Sequence, residues 1–255
     1  MDWDPQQYGE YADERGRPFV DLVNRIGATA PRRVVDLGCG PGTLTALLAS
    51  RWPDAAVEGI DSSPDMIAQA QPHDRLSFRV GDVESWVPPE DVDVIVSNAT
   101  LQWVPTHRDL LKRWASALPE GGWLAFQVPG NFGSFSHTLM RSLAESRRWT
   151  SSLTGILRHD DVVGTPEEYA GLLHAAGFAA DVWETTYVHV LSGADPVLEW
   201  LRGSALRPVM AALPPATYTL FESEFAEQLR QAYPATAAGT LFPFRRIFAV
   251  GWRRS

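Results

Sequence analysis

Val34-Val35-Asp36-Leu37-Gly38-Cys39-Gly40-Pro41-Gly42 is an apolar, β-branched run that ends on an acid and passes through three alternating glycines. It then opens a helical pattern, with Leu44, Leu47 and Leu48 on one face and Pro53 beyond its end. The reading is strand, tight loop, helix. Glycines let a chain turn sharply and bring its backbone close to a ligand, and the N–H groups at a helix start face that ligand. The spacing says what kind of ligand. A dinucleotide loop runs G-x-G-x-x-G, whereas here the glycines stand at 38, 40 and 42 and Thr43 occupies the place of the third dinucleotide glycine. Such a loop suits a nucleoside-type ligand without a pyrophosphate.

Working outward, short β-rich runs alternate with helical patterns. Strands are expected over 33–37, 56–60, 76–80, 92–97 and 123–128, and a last one over 246–252. Several are almost wholly apolar, as strands buried on both faces of a parallel sheet are. Ser62-Ser63-Pro64-Asp65 reads as a cap with proline in the first turn, ahead of a Met66, Ile67, Ala70 stripe. Thr106 is expected to cap a helix carrying Leu110, Leu111, Trp114 and Leu118, and Arg15 and Arg17 to start the first helix. Thr165-Pro166-Glu167-Glu168 is a capping box, with Gly177 closing its helix. Alternation at this spacing implies a doubly wound, mostly parallel α/β sheet. We expect a single domain over 1–255, with a helical cap at 1–30. Residues 131–160 and 192–242, the latter interrupted by Pro208, Pro214-Pro215 and Pro234, are expected as lid-like insertions covering the strand C-terminal ends.

Composition narrows the function. With 255 residues the chain can bury a full core unaided. It has 22 basic and 31 acidic side chains, a net charge of −9, which argues against nucleic acid or an anionic membrane as partner. The acidity is concentrated in 1–130, with 11 basic against 19 acidic residues; 131–255 hold 11 and 12. The less acidic half is where an anion site is expected. Cys39 is the one cysteine, so neither a disulfide framework nor a Cys-rich zinc site is available; it reads as a small loop residue rather than a nucleophile. No signal peptide or membrane-length apolar run is evident, and a cytoplasmic setting is expected.

Two more strand ends carry acids, Gly59-Ile60-Asp61 and Gly81-Asp82. Ligands of open α/β sheets bind at the carboxyl ends of strands near the switch point. There, one carboxylate can accept from ribose hydroxyls and another from an exocyclic amine. Together Asp36–Gly42, Asp61-Ser62-Ser63, Gly81-Asp82 and Ser97-Asn98-Ala99 resemble the successive motifs of class I S-adenosylmethionine-dependent methyltransferases, whose sheet is Rossmann-like. The resemblance implies S-adenosyl-L-methionine as cofactor and S-adenosyl-L-homocysteine as product. It implies Gly38, Gly40 and Gly42 along the methionine part, Asp61 at the ribose, Asp82 at the adenine, and Asn98 and Ala99 beneath the sulfonium, with Ser62 and Val83 also in the set. Tyr8, Arg17 and Met66 complete the implied set.

A narrower resemblance runs nearly end to end. Asp2-Trp3-x-Pro5-x-x-Tyr8, Glu14-Arg15-x-Arg17-Pro18, Asn98-Ala99-Thr100-Leu101-Gln102-Trp103, Trp183-x-Thr185-Thr186-Tyr187-x-His189, Leu206-Arg207-Pro208 and Phe244-x-Arg246-x-Phe248 are similar to the trans-aconitate 2-methyltransferase family. It implies monomethyl ester formation on a small tricarboxylic acid. The substrate candidates are Gln102, Trp103, Asn131, Tyr187, His189, Arg207 and Arg246. A polyacid needs fixed cations, and Arg207 and Arg246 are the first candidates for them; Arg147, Arg148 and Arg158 are weaker ones. A carboxylate is already ionised near neutrality, so no catalytic base is expected and catalysis is positioning, with Gln102, Trp103, Tyr187 and His189 nearest the chemistry. Tyr187, Gln102 or Asn131 would hold the reacting carboxylate as neutral donors. No metal site is expected, and a monomer or weak homodimer is. The residues by themselves leave open another small acid or a phenol as acceptor, a nicotinamide cofactor, and a non-catalytic binding module.

Overall fold

The computed structural model describes the backbone of residues 12–158 and 162–254, and side chains from Gly16 onward within those ranges. Tyr8, the Asp2-Trp3-x-Pro5 motif and the side chains of Glu14 and Arg15 lie outside the described residues. The first helix, α1, is Ala12–Val23. Arg15 and Arg17 stand in its first two turns.

Strand β1 is Arg33–Leu37, β2 Ala56–Asp61, β3 Leu76–Val80, β4 Val92–Asn98, β5 Trp123–Pro129, β6 Phe178–Leu191, β7 Ala235–Thr236 and β8 Gly239–Arg253. The sheet runs β3-β2-β1-β4-β5-β8-β6, with β7 on β8. β1 pairs in parallel with β2 and β4, β4 with β5 likewise, and β8 lies antiparallel to β5. The expected mostly parallel, doubly wound sheet is what forms. Val34, Val35 and Leu37 are fully buried, as are Ile95, Val96 and Leu124, which is why these strands read as unbroken apolar runs. The chain leaves β3 at one edge and re-enters as β4 beside β1. That reversal makes the switch point between β1 and β4.

Two compact units emerge. The first holds Met1–Pro129, Val163–Thr185 and Arg246–Ser255; the second holds Gly130–Val162 and Thr186–Arg245. β6 and β8 pass from one to the other. In the first unit, helix α2 (Thr45–Arg51) buries Thr45, Leu48 and Ala49, while Leu47 is 43% exposed. The buried face is thus rotated from the leucine stripe read in the sequence, because Thr45 turns inward to a partner described below. Helix α3 (Pro64–Ile67) is capped by Ser63, whose hydroxyl accepts from the Met66 N–H at 3.3 Å. Helix α4 (His107–Ala117) buries Leu110, Leu111, Trp114 and Ala115 at i, i+1, i+4 and i+5, one face of a helix. Thr106 precedes it without capping it; its hydroxyl donates to Glu84 at 2.7 Å instead. The capping box of Thr165 and Glu168 is formed, and Gly177 adopts φ +84 just past the helix end.

The second unit is helical around an aromatic core. Helices α5 (Phe135–Ala144) and α6 (Thr150–Leu153) fall in this unit and α7 (Pro166–Ala175) in the first; α8 (Pro196–Arg202), α9 (Arg207–Ala212) and α10 (Pro215–Ala232) each carry a proline in the first turn. Their prolines start helices, where the missing N–H is no loss. Helix α10 buries Phe221, Phe225, Ala226 and Leu229. Trp200, Phe242 and Phe244 pack at 5.5–5.9 Å. Arg202 forks onto Glu222, both bonds 2.7 Å. Arg148 pairs with Glu224, and the Arg158 guanidinium lies 5.4 Å over the Phe132 ring. Among the described residues, no helix is long and apolar enough to cross a membrane.

Candidate active site

In the first unit the site residues collect at the carboxyl edge of β1, β2 and β4. Leu37 is in register with Ile60, and the N–H groups of Gly38 and Cys39 both donate to the Ile60 carbonyl, at 2.7 and 3.1 Å. The glycine loop is therefore stitched to the end of β2. Asp61 completes the stitch. Its Oδ2 accepts from the Gly40 N–H and its Oδ1 from the Ser63 N–H, each at 2.9 Å. A carboxylate of this kind holds the loop and still has lone pairs for ligand hydroxyls. Asp82, exposed just past β3, accepts from the Glu84 N–H at 2.9 Å. The Gly81 N–H donates to the Asp61 carbonyl at 2.9 Å, which brings the two strand-end acids together. Ser62 is exposed, whereas Met66 and Val83 are buried, at 3% and 7% exposure. Arg17 lies on the exposed side of α1.

The three glycines differ. Gly38 (φ +79) has no room for a Cβ, which would stand 1.9 Å from Thr100 Oγ1; Gly42 (φ +79) faces Phe78 at 2.5 Å. At Gly40 (φ +56) a Cβ would meet nothing within 4 Å. Gly40 is thus the position where the loop opens on free space, as a ligand cradle requires.

Beneath the loop lies a pair that sequence reading did not single out. Asp36 is 2% exposed, and its Oδ2 accepts from Thr45 Oγ1 at 2.7 Å. Burial, with a further push from Asp61 and against the Thr45 hydrogen bond, raises its carboxyl to about 7. The same surroundings push the Cys39 thiol up, and a thiol that holds its proton is a poor nucleophile, in keeping with a small loop residue. The available signal was an acid ending a buried strand with a threonine nine residues on.

At the end of β4, Ala99 adopts φ +53, an uncommon conformation for a residue with a Cβ. Its carbonyl accepts from Gln102 Nε2 at 2.6 Å and its N–H donates to the Gln127 carbonyl at 2.9 Å. Gln102 thereby fixes the turn. Trp103 follows in a short 3-10 turn, partly exposed. Asn98 Oδ1 and Gln127 Nε2 are buried without a hydrogen-bond partner. Open space at Gly40 and an orphaned buried oxygen on Asn98 both fit a bound polar nucleoside such as S-adenosylmethionine. Arg246 on β8 is 5% exposed, and its Nη1 donates to Gln127 Oε1 at 3.4 Å.

In the second unit, Tyr187 and His189 alternate along β6, both buried, and stack at 6.4 Å. His189 also stacks on Trp200 at 4.7 Å, so it is a core member of the aromatic cluster. Arg207 opens α9 and is 9% exposed. Asn131 ties two backbone segments together. Its Nδ2 donates to the Arg245 carbonyl and its Oδ1 accepts from the Arg245 N–H, at 2.9 and 2.8 Å. Each end of the amide splices two backbone segments, and the second Nδ2 N–H remains a donor.

Comparison with known proteins agrees with this geometry. A family model described as a methyltransferase domain matches residues 9–182. A protein of Streptomyces avermitilis named trans-aconitate 2-methyltransferase is 53% identical over 99% of this chain and 97% of its own. One of the same name from Rhodococcus jostii is 55% identical over 97% and 98%. Among solved structures, YcgJ of Bacillus subtilis superposes with a TM-score of 0.59 at 16% identity, covering 94% of this chain and 99% of that one. A phosphoethanolamine N-methyltransferase of Haemonchus contortus, solved with S-adenosyl-L-methionine, gives 0.54 at 18% identity, covering 94% of this chain and 53%, about half, of its own. At such identities the structures speak for the fold alone. The near full-length sequence identity says more: this chain belongs to the trans-aconitate 2-methyltransferase family, within the methyltransferases.

Proposed function

We propose that the chain transfers a methyl group from S-adenosyl-L-methionine to one carboxylate of trans-aconitate, releasing the monomethyl ester and S-adenosyl-L-homocysteine. When bound, the cofactor supplies an electrophilic methyl on a cationic sulfur. The residues of the chain supply position. The loop of Gly38, Gly40 and Gly42 lines the methionine part, Asp61 accepts from the ribose hydroxyls, Asp82 with Val83 receives the adenine, and Asn98 and Ala99 lie beneath the sulfur. The acceptor is an anion at neutral pH, its carboxyl groups titrating near ~4, so the chain need not remove a proton. Holding the reacting groups in line supplies ~7–11 kcal/mol of the barrier, and a dry site favours an anion meeting a cation.

The observation that carries the polyacid reading is the burial of cations. Arg207 and Arg246 are the arginines of the described residues with less than a tenth of their surface exposed, in a chain of net charge −9. A guanidinium matches a carboxylate in shape and charge, and a substrate with three carboxylates brings groups for such forks to hold. Each arginine is proposed on its own burial. Their task is to grip carboxylates that do not react, because a tight fork on the reacting one would blunt it. Tyr187 is the proposed neutral contact in the second unit. Asn131 keeps a second amide N–H beyond its bond to Arg245 and stays a neutral donor, and Gln102 acts through Ala99.

Methyl transfer from labelled cofactor, with trans-aconitate beside cis-aconitate, citrate, isocitrate and a phenolic acid, tests the function. A strong preference for trans-aconitate is expected; turnover of the phenolic acid alone would overturn the polyacid reading. Arg246→Ala and, separately, Arg207→Ala should raise KM for trans-aconitate at least ~tenfold, the worth of one charge-assisted contact. The kcat should stay within a few-fold, the mark of uniform binding. A collapsed kcat at unchanged KM would sink this division of labour.

A further inference from the structure

Gln127 lies in the middle of the sheet and is fully buried. On β5 it is in register with Asn98 of β4 and Phe248 of β8. Register partners direct their side chains to one face, and Arg246, two residues from Phe248, shares it. That face therefore carries Asn98, Gln127 and Arg246 above an apolar floor where Phe248 stacks on Trp183 at 4.8 Å.

The amide of Gln127 has a defined sense. Arginine only donates, so the end that faces Arg246 Nη1 at 3.4 Å is the oxygen. The NH2 end points the other way and is buried with no hydrogen-bond partner. Buried polar groups are nearly always satisfied, and an exception asks for an explanation. An apolar side chain of the same volume would serve packing better than an orphaned donor. Gln102 Nε2 and Asn131 Nδ2 each spend one N–H on a backbone carbonyl, those of Ala99 and Arg245.

We propose that Gln127 is the substrate-orienting residue of the first unit: its Oε1 aims the Arg246 guanidinium, and its Nε2 donates to an oxygen of the carboxylate that accepts the methyl group. This rests on the polyacid reading above. A neutral donor suits the task. It fixes one oxygen of the carboxylate and leaves the charge, and the lone pair of the other oxygen, available for attack on the methyl carbon. Arg246 meanwhile takes a carboxylate that does not react.

Gln127→Leu keeps the volume and removes both ends of the amide. It should still fold and bind S-adenosyl-L-homocysteine as before, because the orphaned donor lost from Nε2 partly offsets the acceptor lost to Arg246. Its kcat on trans-aconitate should fall about ten- to hundredfold, as expected for one hydrogen bond to a charged group. Gln127→Glu keeps the shape, pairs with Arg246 and turns a negative charge on the substrate; its KM should rise more than its kcat falls. Methylation kinetics, calorimetric titration with S-adenosyl-L-homocysteine and melting curves on the full chain read all of this. Wild-type kinetics in both variants, with trans-aconitate turned over normally, would overturn the role of Gln127 and leave the function standing. A wild type inert toward trans-aconitate would overturn both. A Gln127→Leu variant that loses cofactor binding together with activity would make the residue structural and overturn the proposal too.

Discussion

Gly40→Ala is expected to fold and to hold its cofactor weakly, while Gly38→Ala is expected to lose much of its stability. At Gly38 the added methyl would sit 1.9 Å from Thr100 Oγ1 and 2.6 Å from Thr100 Cβ. A Cβ does not move by rotating a side chain, and Thr100 is held beside Ala99, whose carbonyl and N–H are both engaged. The φ of +79 adds strain. Together, left-handed strain of ~1–2 kcal/mol and overpacking of ~1–3 kcal/mol take up much of a total stability of ~5–15 kcal/mol. At Gly40 only the strain applies, because the methyl meets no protein atom within 4 Å. It projects instead into the space assigned to the cofactor. Melting curves should separate the two variants by several degrees. Titration with S-adenosyl-L-homocysteine should find Gly40→Ala weaker by at least ~tenfold, the equivalent of ~1.4 kcal/mol of overlap. Wild-type affinity in Gly40→Ala would mean that the cofactor does not lie over this loop.

The contrast between these glycines also marks what a sequence can and does not carry. Strand–loop–helix alternation, the parallel core strands and the strand-end acids follow from local rules, and each appears where expected. The glycine motif reads as one unit because one dimension records only spacing. Which glycine faces Thr100, which faces Phe78 and which faces open space depends on strands brought together from residues 60, 78 and 100. The same holds for Leu47, which belongs to a good helical stripe but yields the buried face to Thr45, because Asp36 lies below. Asn131 was a reasonable donor by type, yet its partner is the backbone of Arg245, 114 residues away. Gln127 drew no notice, being one polar residue in an apolar strand. Its meaning comes from its neighbours Asn98 and Arg246. Local chemistry marks which residues are unusual, and pairing across the sheet decides what they do.

Asp36 supplies the second large effect, one that appears in stability against pH. Its carboxyl ordinarily titrates at 3.8 and in the fold is raised to about 7. Between these values the unfolded chain has released the proton and the native chain retains it, so the native state binds more protons. Stability must then fall as pH rises through that window and level off above about 7. The sign is opposite to that of a salt-bridged aspartate, and the total is on the order of a few kcal/mol. Thr45 opposes the shift and Asp61 adds to it. Asp36→Asn imitates the protonated form, with an oxygen to accept from Thr45 and no charge to bury. Urea unfolding should therefore find wild type and variant within about 1 kcal/mol of each other at pH 4, and the variant clearly more stable at pH 8. Because every other titrating group is common to both proteins, the difference between the two curves isolates this carboxyl. Curves that stay parallel from pH 4 to pH 8 would mean that Asp36 is ionised throughout, and the loop above it would then rest on a buried charge. A divergence in the stated direction means that the glycine loop sits on a neutral carboxylic acid through the acid and neutral range.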